Sequence, residues 1–556
     1  MMQDKVLIVQ SDFSILAEAN HPRYKEVQSI LVNFAELKKS PEHIHTYKIS
    51  PLSIWNARSL GISSQEIIET LQQNSRYPIQ ETLLHSIKQN ADRFGKIRLV
   101  KFSEDTVALV FSDRKILEEV LSYKDIVEII KHKTPDRLYL DILYRGVIKQ
   151  KLINVGCPVE DVAGYAEGDT LDILLRSTTS KSGEKFSLRD YQKTAIDSFY
   201  QNGAPLGGAG VLTLPCGSGK TIIGIGIMSK IGAPTLILTT SVTSVNQWLD
   251  EILDKTKISK DLIGGYTSKN KAIKPITVTT YQMITHKVSK DGAFENMKIF
   301  NARNWGLIIY DEVHALPAPI FQITSSLQAK RRLGLTATLI REDGKEKEVF
   351  SLIGPKKADV SWKKLENENW IASAICTEVL VPMCKDLKLT YLSLSKRERF
   401  AFSAKNPNKF NCVKQLLKKH NKESILIIGM YIDQIKEVAA IFNIPLLTGS
   451  SSQAKRDLVY KNFKEGKNAI IAVSKIANFA VDLPDASVAI QISGTFGSRQ
   501  EEAQRLGRIL RPKSDRKKAY FYSLVTQDSV EEDFNKKRQL FLCEQGYEYR
   551  FIEADI

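Results

Sequence analysis

Leu214-Pro215-Cys216-Gly217-Ser218-Gly219-Lys220-Thr221 is the stretch on which the reading of this chain turns. It follows the apolar run Val211-Leu212-Thr213-Leu214 and leads into Ile222-Ile223-Gly224-Ile225-Gly226-Ile227-Met228. A buried strand, a tight glycine turn and a helix fit that order. Such a turn aims successive backbone N–H groups and the helix N-terminus at a phosphate. The lysine neutralises the outer phosphates, and the threonine hydroxyl holds Mg²⁺. The full phosphate-loop pattern asks for a further glycine at the position where Leu214 stands, so the motif reduces to glycine-x-glycine-lysine-threonine after a strand. A flexible turn capping a helix would use the same residues, and the rest of the chain has to decide.

Working outward, apolar segments alternate with helical stretches from Phe186 onward, the pattern of a doubly wound parallel sheet. The spacing predicts strands at Val211–Leu214, Thr235–Thr239, Ile276–Thr280, Gly306–Tyr310 and Arg332–Thr336. The alternation restarts after Ile375, with strands predicted at Ser424–Gly429, Pro445–Thr448, Asn468–Ser474, Ser487–Ser493 and Ala519–Val525. Two α/β domains in tandem, 186–374 and 375–556, are expected, and only the first carries a phosphate loop.

Gly306-Leu307-Ile308-Ile309-Tyr310 reads as a strand buried on both faces, and it ends in Asp311-Glu312-Val313-His314. Ligands of open parallel sheets bind beyond the carboxyl ends of the strands, where these acids emerge. Asp311 can hold Mg²⁺ beside Thr221, and Glu312 is placed to polarise an attacking water. In the second domain, Gln504-Arg505-Leu506-Gly507-Arg508-Ile509-Leu510-Arg511 puts Arg508 and Arg511 on one helical face with Gln504. Guanidinium groups brought to a γ-phosphate stabilise transition-state charge; a solvated basic face is the ordinary alternative.

The first 185 residues divide into smaller pieces. Residues 1–115 read as a mixed α+β domain: helical periodicity from Arg23 to Lys39, a capping box at Ser63-Ser64-Gln65-Glu66, a helix from Pro78 to Arg93, then a hairpin of Ile97–Phe102 and Val107–Phe111. Helix, helix, hairpin is the order of a winged-helix module, which serves DNA or protein contacts. Residues 116–176 form a second small unit with a strand near Arg137–Leu143. Ser177–Lys185 has nothing to anchor in a core and reads as a linker.

The 556 residues suit several domains, and 43% hydrophobic with 26% charged residues suits globular ones. A net charge of +16 favours a polyanionic partner. The six cysteines lack metal-ligand spacing, which points to a reducing compartment. No apolar run approaches the roughly 18 residues of a membrane span, and the N-terminus lacks the pattern of a signal peptide.

Taken in order, Leu188-Arg189-Asp190-Tyr191-Gln192, the phosphate loop, Gln247-Trp248, Thr279-Thr280-Tyr281-Gln282, Asp311-Glu312-Val313-His314, Thr336-Ala337-Thr338 and Gln504–Arg511 resemble the motif set of superfamily 2 helicases. Arg341-Glu342-Asp343, Asn406-Pro407-Asn408-Lys409-Phe410, Ser474-Lys475-Ile476, Asp482-Leu483-Pro484 and Gly497–Arg508 narrow the likeness to the xeroderma pigmentosum group B family of DNA repair helicases, in its prokaryotic form. The dense resemblance runs from about Phe186 to Val525; the first third is similar to that family's front domain and damage-recognition unit.

The resemblance implies two RecA-like domains that hydrolyse ATP with Mg²⁺ and move 3′ to 5′ along DNA in nucleotide excision repair. Arg189 and Gln192 would read the adenine, and Pro215, Cys216, Gly217, Ser218, Gly219, Lys220 and Thr221 would hold the phosphates. Asp311 and Thr221 would serve the metal and Glu312 the water. Arg508 and Arg511 would be the fingers and Gln504 a sensor. Thr336 and Thr338 would couple the sites, and Arg341, Glu342 and Asp343 would work at the strand-separating edge. Thr240, Thr280, Ser474 and Lys475 follow strand ends and offer groups to DNA phosphates. The expected partners are DNA and a repair nuclease or other repair protein, with no membrane, for a monomer in the cytoplasm or, in a nucleated cell, the nucleus. Met383–Ser403 is short for the basic DNA-gripping thumb of the family. The alternatives are an RNA-remodelling ATPase and a recruiter that opens DNA only with a partner.

Overall fold

The computed structural model describes residues 5–40, 43–103, 105–162, 168–203, 207–215, 217–286, 295–300, 302–316, 329, 331–337, 346–474, 486–495, 502, 505–507, 509, 518–547 and 549–555. Contacts divide the chain into two compact units, and each holds one large parallel sheet.

Short strands come first: β1 (Leu7–Val9) pairs antiparallel with β2 (Ser14–Glu18), and β3 (Glu36–Lys39) and β4 (Ile44–Lys48) follow. The periodicity read from Arg23 to Lys39 yields a helix only over Tyr24–Leu31. Phe34 and Leu37 fit a helical spacing but are buried from a turn and from β3, a case of tertiary packing overriding local pattern. At the capping box, the Ser63 hydroxyl accepts from the Glu66 N–H (3.1 Å) and the Glu66 carboxylate from the Ser63 N–H (2.6 Å), opening helix Ser64–Asn74. Helix Glu81–Arg93 follows, then the hairpin of β5 (Ile97–Lys101) and β6 (Thr106–Phe111).

The hairpin does not end a winged helix. β7 (Ile130–Lys133), β8 (Arg137–Asp141) and β9 (Val159–Asp161) extend it into a five-stranded sheet ordered β7-β8-β6-β5-β9. The division expected at 115/116 therefore falls inside one sheet, because β6 pairs with β8 and Leu99, Leu109, Leu138 and Leu140 share one core. The polar stretch 177–185 is also no free linker. The Ser180 N–H donates to the Asp254 carbonyl (3.1 Å) and the Lys181 N–H to Asp254 Oδ1 (2.7 Å), while Thr178 bridges Lys185. Anchoring through main-chain groups leaves no apolar signature to read.

The first large sheet contains β10 (Ala209–Thr213), β11 (Thr235–Thr239), β12 (Ile263–Tyr266), β13 (Ile276–Thr280), β14 (Leu307–Asp311), β15 (Arg331–Thr336) and β16 (Lys356–Asp359). Its order is β12-β13-β11-β14-β15-β10-β16, parallel throughout. The second contains β17 (Ala374–Val381), β18 (Ile425–Gly429), β19 (Leu446–Leu447), β20 (Ile470–Ser474), β21 (Val488–Gln491), β22 (Ala519–Thr526) and β23 (Tyr549–Glu553). Its order, β19-β20-β18-β21-β22-β17-β23, is again parallel and repeats the first with each strand number raised by seven. These are two RecA-like α/β domains. The inner strands are fully buried runs such as Leu307–Tyr310 and Ile425–Gly429, as helices on both faces of a parallel sheet require.

Sequence pattern missed the inner strand β17 and, at the edges, β12, β16 and β23. β12 holds Gly264-Gly265, while β16 begins Lys356-Lys357 and β23 is largely exposed. These last three are edge strands, which need no continuous apolar run. The edge at β16 is covered: Asn56 Oδ1 accepts from the Lys356 N–H (3.1 Å) and the Ser59 hydroxyl donates to the Lys356 carbonyl (2.7 Å).

Candidate active site

The turn after β10 is built by glycine. Gly217 and Gly219 both lie at φ 79°, in the left-handed region that only glycine enters freely. The Leu214 N–H donates to the Thr336 carbonyl (2.9 Å), which carries the chain straight off the sheet before it turns. Helix Lys220–Ile231 starts at once with Gly219 as its cap, and the first helical bond is Ile223 N–H to Gly219 C=O. The N–H groups of the first turn therefore stand outside the helical ladder, as an anion site needs.

Glycine within this helix has a second use. A Cβ at Gly224 would meet the Trp248 ring at 2.5 Å, so the indole lies directly on the helix. From there Trp248 Nε1–H donates to Asp311 Oδ2 (2.9 Å), and the Tyr281 hydroxyl donates to the Asp311 carbonyl (2.9 Å). Trp248 and Tyr281 belong to two of the quoted motifs, but sequence reasoning assigned them no task. Only the fold brings both to the end of β14.

Glu312 follows at φ 49°, ψ 55°, an uncommon left-handed conformation for a residue with a side chain. The turn brings its Oε1 to 2.5 Å from Lys220 Nζ, while its Oε2 lies 3.4 Å from His314 Nδ1. His314 Nδ1 also shares a hydrogen bond with Thr336 Oγ1 at 2.9 Å. Phosphate-loop lysine, acidic strand end and the end of β15 thus form one connected group. Burial raises the Asp311 carboxyl above its usual range and the Glu312 charge adds to this, against the opposing pull of Lys220 and the Trp248 N–H. Two adjacent carboxylates face one ammonium, and Thr221 lies in the first turn of the helix. Such an oxygen-rich, charge-deficient set fits a Mg²⁺–nucleotide, whose hard cation takes carboxylate and hydroxyl oxygens.

Other expected residues fall differently. Gln192 is 4% exposed, and its Oε1 accepts from the Arg189 N–H at 3.0 Å, closing the start of helix Asp190–Tyr200. Arg189 Nη1 reaches the Tyr191 hydroxyl at 3.3 Å. Thr240 is exposed, whereas the Thr280 hydroxyl accepts from the Met283 N–H (3.0 Å) to cap a short helix. Ser474 is 1% exposed and turned inward, unlike the surface hydroxyl expected there. Cys216, Thr338, Arg341, Glu342, Asp343, Lys475, Gln504, Arg508 and Arg511 lie outside the described residues. The helix on which Gln504, Arg508 and Arg511 were read is described at Glu502, Arg505, Leu506, Gly507 and Ile509.

Comparison with known proteins agrees with this architecture. Residues 365–555 match the model for the ERCC3/RAD25/XPB C-terminal helicase, residues 185–341 that for the type III restriction enzyme res subunit, and residues 7–134 one described as a helicase conserved C-terminal domain. A Mycobacterium tuberculosis protein named DNA 3′-5′ helicase XPB is 45% identical over 555 residues, covering 100% of this chain and 99% of that one. The Kineococcus radiotolerans protein of the same name is 44% identical, covering 100% and 97%. A Saccharomyces cerevisiae relative, the general transcription and DNA repair factor IIH helicase/translocase subunit XPB/SSL2, is 31% identical over 98% of this chain and 72% of its own.

Proposed function

The chain belongs to the XPB family of DNA helicases, and from that premise we propose how its site works. The protein is an ATP-dependent 3′–5′ DNA helicase of DNA repair; nucleotide excision is the repair route we assign to it. The observation that carries the reading is the 2.5 Å contact between Lys220 and Glu312 at the mouth of the glycine turn.

In this reading the first-turn N–H groups and Lys220 bind the phosphates of ATP. Asp311 and Thr221 would hold Mg²⁺, which would neutralise phosphate charge when bound. Glu312 orients the attacking water. The Lys220 ammonium serves the Glu312 carboxylate in the free protein, and a phosphate that draws the ammonium away frees that carboxylate for water. Trp248 and Tyr281 hold Asp311 in place. Thr336 joins the end of β15 to His314 and to the phosphate-loop strand, and so couples nucleotide state to the loops that follow β15. Arg508 and Arg511, with Gln504, supply the charge-stabilising groups of the second domain. Arg189 and Gln192 border the base, with Gln192 acting through its cap rather than through a freely rotating amide.

Backbone tracking on DNA falls to Thr240, Lys475 and the N–H groups around Thr280 and Ser474, and strand separation to Arg341, Glu342 and Asp343. The net charge of +16 supports a polyanionic track. A repair nuclease is the partner we assign, to a monomeric motor. Among the described residues no helix is long and apolar enough to cross a membrane.

The test is ATP hydrolysis with single-stranded DNA, with RNA and with neither, for the wild type and Arg511→Ala. DNA is expected to stimulate the wild type and RNA not to. Arg511→Ala is expected to lose on the order of 10³-fold in kcat. Normal hydrolysis by Arg511→Ala would reject the two-domain site.

A further inference from the structure

The second domain carries a buried arginine that none of the helicase motifs contains. Helix Val530–Glu544 turns Glu531, Asn535, Arg538 and Gln539 inward, all at most 5% exposed. Arg538 is 1% exposed. Its Nη1 donates to the Thr495 carbonyl (2.6 Å), its Nη2 to Asn535 Oδ1 (2.7 Å), and its Nε faces Glu502 Oε2 at 3.7 Å. Its guanidinium lies so close to Gly494 that a Cβ there would meet Cζ at 2.2 Å. Asn535 is itself held by Glu378, whose Oε2 accepts from Asn535 Nδ2 (2.7 Å) and Gln539 Nε2 (2.5 Å).

Thr495 comes shortly after β21 and Glu502 is helical, with Arg505 on the same helical run and Arg508 and Arg511 three and six residues further along the sequence. One guanidinium therefore contacts both Thr495 and Glu502. Gly494 keeps the space for it, and Glu502, fully buried, has the Tyr549 and Ser523 hydroxyls at 3.5 Å as further neighbours.

We propose that Arg538, seated on Gly494 and bridging Thr495 to Glu502, is a positioning residue for ATP hydrolysis that sets the placement of the arginine-bearing helix. The proposal rests on the reading of Arg508 and Arg511 given above. Arg538 does not touch substrate; it acts through the helix start. A displacement of about 1 Å in such a constellation costs on the order of 10²-fold in rate.

Three variants test it: Arg538→Lys, which keeps the charge but loses the planar fork; Gly494→Ala, which leaves Arg538 intact and takes its space; and Arg511→Ala as reference. DNA-stimulated kcat is expected to fall about 10- to 100-fold in the first two. The affinity for a fluorescent ATP analogue is expected to stay within about twofold, since the phosphate loop sits on the other sheet. Gly494→Ala combined with Arg511→Ala is expected to be no slower than Arg511→Ala alone. Should Arg538→Lys fail to fold, Gly494→Ala and the double variant carry the test. A folded Gly494→Ala with wild-type kcat, or additive losses in the double variant, would overturn the proposal. If Arg511→Ala itself hydrolyses normally, the finger reading falls instead, and the two failures are thereby told apart.

Discussion

The two parallel sheets share one strand order and put opposite things at the same place. Where β10 ends, the first domain makes a left-handed glycine turn; where β17 ends, the second runs through Pro382 into helix Lys385–Ser393. Where β14 ends, Asp311 and Glu312 emerge, and the Lys220–Glu312 side chains keep 13% and 20% exposure. The matching strand β21 ends in Gln491, whose Oε1 takes a hydrogen bond from the buried Arg505. The second domain spends its charges inside. Lys409 and Glu531 are wholly buried, with Nζ 2.8 and 2.9 Å from the two carboxylate oxygens and 3.0 Å from the Ile492 carbonyl. One framework thus yields a reachable reactive edge in one copy and an internally braced rim in the other. The difference lies in the loops after the strands.

That contrast breaks most visibly if the buried pair is cut. Lys409→Met leaves Glu531 uncompensated and is expected to destabilise the second domain by about 3–5 kcal/mol. Proteolysis and melting curves should register this, while nucleotide still binds the first domain; an unchanged melt would mean that the pair does not brace the rim.

A third region asks whether closed charge clusters are structural throughout. Asp161 receives Arg145 Nη2 at 2.5 Å and Lys149 Nζ at 2.7 Å, with Arg332 Nη2 at 3.9 Å. Burial pushes this carboxyl up, but the three cations outweigh it and hold it well below its ordinary range. The folded carboxyl binds its proton less readily than the unfolded one. Its contribution is therefore complete above an unfolded pKa of about 4 and is lost as pH falls below that. Asp161→Asn is expected to cost about 3 kcal/mol near neutrality and to flatten the acid limb of the stability–pH curve. An unchanged acid limb would clear Asp161.

On the edge that carries Glu312 the expected loss falls on turnover rather than on stability. Glu312→Gln should fold normally, by circular dichroism, and lose about 10²- to 10³-fold in DNA-stimulated kcat. A smaller loss comes from the support beneath it. Trp248→Phe keeps the ring against Gly224 but removes the N–H from Asp311, with about a tenfold fall in kcat expected. Least of all, Gln192→Ala removes a helix cap worth about 1 kcal/mol and is expected to shift the melting of the first domain more than its turnover.

Much of the reactive edge was legible because it is local in sequence. Glycine at 217 and 219, lysine at 220 and acids closing an apolar strand are each a few residues long, and each chemistry needs those types adjacent. The internal bracing was not legible. Lys409 was read only as part of a family motif, and Glu531 and Arg538 were read not at all. Their partners lie 122 and 36 residues away, Glu531 from Lys409 and Arg538 from Glu502, and nothing in a helical pattern says that a charged residue faces inward. The overlong helix at 23–39 and the linker at 177–185 went wrong for a related reason. Periodicity and polarity describe a segment alone, whereas Phe34, Leu37 and the Ser180 N–H are settled by what packs on them.

The sequence by itself determined the alternating α/β architecture, the duplicated sheet and the glycine turn before helix Lys220–Ile231. Apolar period and glycine placement act over a handful of bonds, and no partner is needed to specify them. Tertiary structure alone decided that Trp248 and Tyr281 hold Asp311, that Glu312 meets Lys220, and that Arg538 rests on Gly494. Each of these contacts joins groups far apart along the chain, and its strength comes from burial and approach distance, which exist only once the sheets have formed.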